Sequence, residues 1–127
     1  MLFVGGVYLV AGILFAALAK SAPSHQMVVA WRLAAWVISA VAFAAHIGYE
    51  HFWLRSSPVT TALHASLATA IGAFGLAVAA RIHALTAPTP QHFPTFALAL
   101  WPVLAALPAF LVALAFAVVL ARARRSS

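Results

Sequence analysis

Cysteine is absent from this chain of 127 residues, and acidic side chains nearly so: Glu50 is the only Asp or Glu. Without cysteine there is no disulfide, no thiolate metal site and no thiol chemistry, although the absence says nothing about redox compartment. A single acid excludes mechanisms that need two carboxylates in one protomer. Charge of either sign is scarce, 6% of residues against roughly 25% in a soluble domain. The nucleophile elbow, the phosphate-binding glycine loop and the His-Glu-x-x-His helix are also missing. Ser39 and Ser66 lie inside apolar stretches, where small-polar packing explains them better than nucleophilic catalysis. The expectation is a protein that is not an enzyme.

Hydrophobic residues make up 66% of the chain, and mean hydropathy is +1.08, so the expected solvent is a lipid bilayer. The length suffices for one compact bundle, residues 1–127, and no second domain. The net charge of +6 rests on seven cations against one acid. Arg122, Arg124 and Arg125 follow an apolar run and read as an anchor at the membrane edge, not as a nucleic-acid surface.

Four apolar stretches approach the roughly 20 residues that cross a bilayer: 2–19, 28–53, 59–80 and 96–121. Ala17-Leu18-Ala19 resembles a signal-peptide cleavage site, but no Lys or Arg precedes the run, so it is read as a retained span. The connections fall at 20–27, 54–58 and 81–95. The last holds Pro88, Pro90 and Pro94 and is expected to be a loop. The short link around Ser56, Ser57 and Pro58 makes the second and third helices a tight antiparallel hairpin, with Ser56 or Ser57 as helix cap. The predicted fold class is all-α, a four-helix transmembrane bundle.

Four spans put both termini on the side of the 54–58 link, with Arg55, Arg122, Arg124 and Arg125. Lys20, Arg32 and Arg81 lie on the other side. The small excess leans towards cytoplasmic termini. Alanine richness points to the plasma (inner) membrane of a bacterium. Partners are then the bilayer itself and either a second copy or a larger membrane complex.

Small residues mark helix contacts in lipid. The fourth stretch repeats alanine every four residues from Ala105 to Ala121, the third carries Ala68, Gly72, Gly75 and Ala79, and the first Gly5, Gly12, Ala16 and Ala19. Pro102 and Pro108 are expected to kink the fourth helix. In the second stretch Arg32, Trp36, Ser39, Phe43, His46, Glu50 and Trp53 recur at alternating spacings of four and three, which places them on one face. A polar seam of this kind should face protein or water.

His46 and Glu50 are one turn apart on that seam, and His64 falls at a similar depth on the next helix. The structural reading is that Glu50 accepts hydrogen bonds from His46, Arg55 or His64 and pins the hairpin register. The functional reading is a proton, cation or small-ligand site, since imidazole titrates near neutrality and suits proton exchange with a carboxylate. Two His and one carboxylate also suit a divalent metal, and His46 with His64 could be axial ligands of haem. His51 is about 100° round the helix from Glu50 and is expected at the interface with Arg55, near lipid phosphate. His25, His83 and His92 fall in or beside the opposite connections and could form a second cluster.

A four-span chain with one membrane glutamate resembles the small multidrug transporters in outline. Their glutamate lies in the first span, within a motif missing here, so no residue carries over. The competing reading is a non-catalytic accessory or assembly subunit of a larger membrane complex, docked through its small-residue stripes.

Overall fold

The computed structural model describes residues 2–86 and 94–125, and these form four α-helices: α1 (Leu2–Lys20), α2 (His25–Phe52), α3 (Pro58–Thr86) and α4 (Ala97–Arg125). All four are long and apolar enough to cross a membrane. The chain is a multi-pass membrane protein, with large apolar side chains such as Leu33, Val37, Phe74 and Leu111 exposed around its outside.

Three boundaries differ from the sequence expectation by three residues or more, and one of them is the end of α4, at Arg125 and not 121. α2 starts at His25, not Val28, because the Ser24 side chain accepts a hydrogen bond from the Met27 N–H and caps the helix there. α3 runs on to Thr86, through the stretch 81–86 expected to be loop. Residues 81–86 contain neither Gly nor Pro, so nothing in that stretch breaks the helix. Pro88, Pro90 and His92 lie outside the described residues. Arg81 donates from Nη1 to Thr95 Oγ1 at 3.0 Å, tying the end of α3 to the approach to α4. Pro102 and Pro108 both lie within α4, which continues past them.

Packing in lipid has no hydrophobic term between helices, so close backbone approach and hydrogen bonds must hold the bundle. α2 and α3 each touch all the other helices, and α3 is the hub because its contact with α4 is the most extensive in the bundle, whereas α1 and α4 do not meet among the described residues. The α1–α3 contact is built on glycine. A Cβ at Gly72 would sit 2.8 Å from the Tyr8 Cβ, and one at Gly5 would sit 2.9 Å from Ile71 Cγ2. On α4 the alanine stripe turns inward: Ala113 and Ala117 are fully buried.

The link between α2 and α3 is short, as expected, yet these helices pack less tightly than α3 and α4. Near the link, Ile47 of α2 joins Ala62, Ala65 and Ala113 in the apolar core. Further along, the four helices line a central cavity of about 670 Å³ that opens to the outside of the bundle, its walls including the exposed Trp36 and Trp101.

Candidate functional site

The chain reverses at Arg55, whose φ of 51° is left-handed. This reversal brings Ser56 back against the end of α2, where its N–H donates to the Glu50 carbonyl at 3.1 Å. Its hydroxyl donates to Glu50 Oε2 at 2.7 Å. Ser57, one residue on, caps α3 by accepting from the Thr60 N–H at 3.2 Å. The two serines therefore divide the work: Ser57 starts the helix and Ser56 holds the carboxylate.

His64, on α3, completes the site. Its Nδ1 lies 2.8 Å from Glu50 Oε1. The Glu50 side chain is 5% exposed and that of His64 33%. Each carboxylate oxygen thus has one partner on the far side of the turn, one neutral and one able to carry charge. With the carboxylate as acceptor, His64 carries its proton on Nδ1, leaving the Nε2 lone pair free to accept a proton or bind a metal.

Glu50 and His64 are brought into hydrogen-bond contact, and His46 does not share in that bond. His46 is buried one turn deeper, and its Nε2 has no hydrogen-bond partner among the described residues. No group of three His, Cys, Asp or Glu residues able to hold a metal ion forms among the described residues. The candidate metal set His46, Glu50 and His64 is therefore not assembled as a cage. Nor do His25 and His83 build a metal cluster: His25 begins α2 and His83 lies in the last turn of α3.

Two secondary expectations are corrected. His51 does not face the interface: it is 6% exposed, its ring edge-on to Phe52, and its Nε2 has no partner among the described residues. Its rotation away from Glu50 turns it into the bundle because α2 is contacted on more than one face near the link. Arg55 is not a partner of the carboxylate, whose two oxygens bond to Ser56 and His64; it is exposed and serves as the turning residue.

Ser56 is the participant that sequence reasoning missed. The signal was the adjacent pair Ser56-Ser57 before Pro58. A helix needs one N-cap, so the second hydroxyl was available for another acceptor.

The seam on α2 separates into zones. Arg32 lines a groove between α1 and α2. Trp36, Ser39 and Phe43 line the central cavity, His46 and Glu50 are buried, and Trp53 is exposed and stacked on Tyr49. Thr61, fully buried, and Tyr8, on the cavity wall, each carry a buried hydroxyl without a partner among the described residues.

Comparison with known proteins adds no relative: no family model, curated protein or solved structure matches the chain.

Proposed function

We propose that this small multi-pass protein handles a proton in the plasma membrane, taking it up and releasing it at the Glu50–His64 pair. One observation carries the reading: a carboxylate 5% exposed bonds at 2.8 Å to an imidazole 33% exposed. Imidazole has two nitrogens, so it can receive a proton at one and pass the other to a bonded acceptor. The exposed ring is the accessible end of such a relay and Glu50 is its buried end. Ser56 holds the second carboxylate oxygen, which keeps the acceptor in place through both protonation states.

A metal cage has less support, because His46 does not join the pair and no third ligand gathers around it among the described residues. Haem held between His46 and His64 also has less support, because the short link at 53–57 leaves little room for a porphyrin between α2 and α3. The accessory-subunit reading relied on small-residue stripes as docking faces. Ala113 and Ala117, in the middle of the α4 stripe, are instead buried within the bundle. The cation excess on the side of the Leu54–Ser57 link favours that side as cytoplasmic.

The test is proton flux into vesicles reconstituted with the purified chain and loaded with a pH-sensitive dye. The wild-type chain should carry an imposed gradient measurably faster than empty vesicles. Glu50→Gln should reduce the excess at least about tenfold while the helical spectrum and elution volume stay unchanged. Equal flux in wild type and Glu50→Gln sinks the proposal.

A further inference from the structure

A second site, at the opposite end of the bundle from Glu50, concerns the cations Lys20 and Arg32. Both line a groove of about 380 Å³ between α1 and α2. The chain's only acidic side chain is Glu50, which lies towards the other end of α2, so neither cation has an acidic side chain to pair with. Gly12, Ala35 and Trp36 line both this groove and the central cavity. The two spaces therefore adjoin, cationic at one end and apolar beyond.

The apolar part, about 670 Å³, lies within the range of roughly 300–1,000 Å³ typical of small-molecule sites. Phe43 belongs both to its wall and to the cluster of Ile47, Ala62, Ala65 and Ala113 that fills the bundle beyond. The space thus ends against packed apolar side chains on the Glu50 side.

We infer that the groove and cavity together bind a single-chain anionic amphiphile, its headgroup on Lys20 and Arg32 and its hydrocarbon chain in the central cavity. Two cations at the membrane edge would draw any anionic headgroup; the open apolar cavity beside them is what seats its chain against the protein. A single chain fits this arrangement better than a two-chain lipid, whose second chain would have to remain outside.

Trp36 and Trp101 line the cavity and report on it directly. In a Trp31→Phe, Trp53→Phe background held in uncharged detergent, a long-chain fatty acid brominated along its chain should quench tryptophan fluorescence saturably. The unbrominated acid should reverse the effect. A brominated alcohol of the same length should bind about tenfold more weakly, the effect of losing a charge-assisted contact. A short brominated acid should not quench at matched concentration. Lys20→Gln with Arg32→Gln should weaken the acid about tenfold and leave the alcohol unchanged. Ala40→Phe, or Ala105→Leu should the first not fold, should abolish saturable quenching by filling the cavity. Linear quenching that is equal for acid and alcohol would mean partition into detergent and overturns the proposal. Tighter saturable quenching by a brominated two-chain phosphatidylglycerol overturns the single-chain assignment.

Discussion

Ser56 holds Glu50 twice, by its N–H on the backbone carbonyl at 3.1 Å and by its hydroxyl on Oε2 at 2.7 Å. The turn and the carboxylate are therefore one structural unit. Ser56→Ala keeps the turn's backbone bond and removes one hydrogen bond to a charged acceptor. Such a bond contributes about 1.5–3 kcal/mol. The variant should unfold earlier in detergent by an amount near the low end of that range, because the site is only partly enclosed. No change in the unfolding midpoint would show that Ser56 does not support the carboxylate.

The Glu50–His64 bond should appear as coupling. Glu50→Ala and His64→Ala each leave the other partner without its bond, so the double variant should be less destabilised than the sum of the singles. A coupling of about 0.5–3 kcal/mol is expected for residues in direct contact. Additive losses in a double-mutant cycle of detergent unfolding would mean that the two side chains act independently.

Glycine positions divide sharply. Gly72→Ala places a methyl 2.8 Å from the Tyr8 Cβ, an overpacked contact that costs about 1–3 kcal/mol. Gly48→Ala meets nothing within 4 Å and should stabilise α2 by up to about 1 kcal/mol. Thermal unfolding of the two variants in the same detergent checks the contrast. Equal midpoints would mean that α1 does not rest on α3 at Gly72.

Arg55 occupies the left-handed region at φ 51°, where a side chain costs roughly 1–2 kcal/mol that glycine avoids. Arg55→Gly should therefore leave stability unchanged or raise it by up to about 1 kcal/mol, the gain being offset by the greater freedom of the unfolded chain. Proton flux should also persist. Its loss in a folded Arg55→Gly protein would return the guanidinium to the site.

Thr61 is fully buried, with a hydroxyl that has no partner among the described residues. Replacing a buried unsatisfied hydroxyl by a methyl of similar shape removes a desolvation penalty of about 1–3 kcal/mol. Thr61→Val should be neutral or stabilising in detergent unfolding. Clear destabilisation would mean that the hydroxyl is bonded in the folded protein.

The architecture was legible because apolar length is a one-dimensional signal. Four runs near the length of a span are visible in the order of residues alone, and the Ser57 cap follows from Ser-Pro at a helix start. Helix ends were less legible: Ser24 is an ordinary N-cap residue whose signal was overlooked, and 81–86 lacked hydrophobicity but not helical competence. At the site, spacing put Glu50 and His64 at nearby depths, and they do meet. It also put His46 one turn from Glu50, where it is buried without a hydrogen bond from Nε2 among the described residues, and His51 at the interface, where it is instead buried. Helix rotation and the position of α3 relative to α2 decide such contacts, and neither is written in the spacing along one helix. Ser56 required the path of the turn, which depends on one residue, Arg55, adopting a conformation its side chain disfavours.

The hub position of α3 imposes an order on biosynthesis. Glu50 leaves the ribosome 14 residues ahead of His64, an interval of about 1–3 s at 5–20 residues per second. For that time the carboxylate has left water's reach only if the hairpin enters the bilayer as a unit, since α2 alone would carry an acid without its imidazole. Holding α2 at the membrane surface until α3 arrives would avoid that cost, roughly 2.5–3.5 kcal/mol for a charge at the helix centre, so a slow codon or an insertion between residues 50 and 64 would burden assembly without altering any contact of the finished protein.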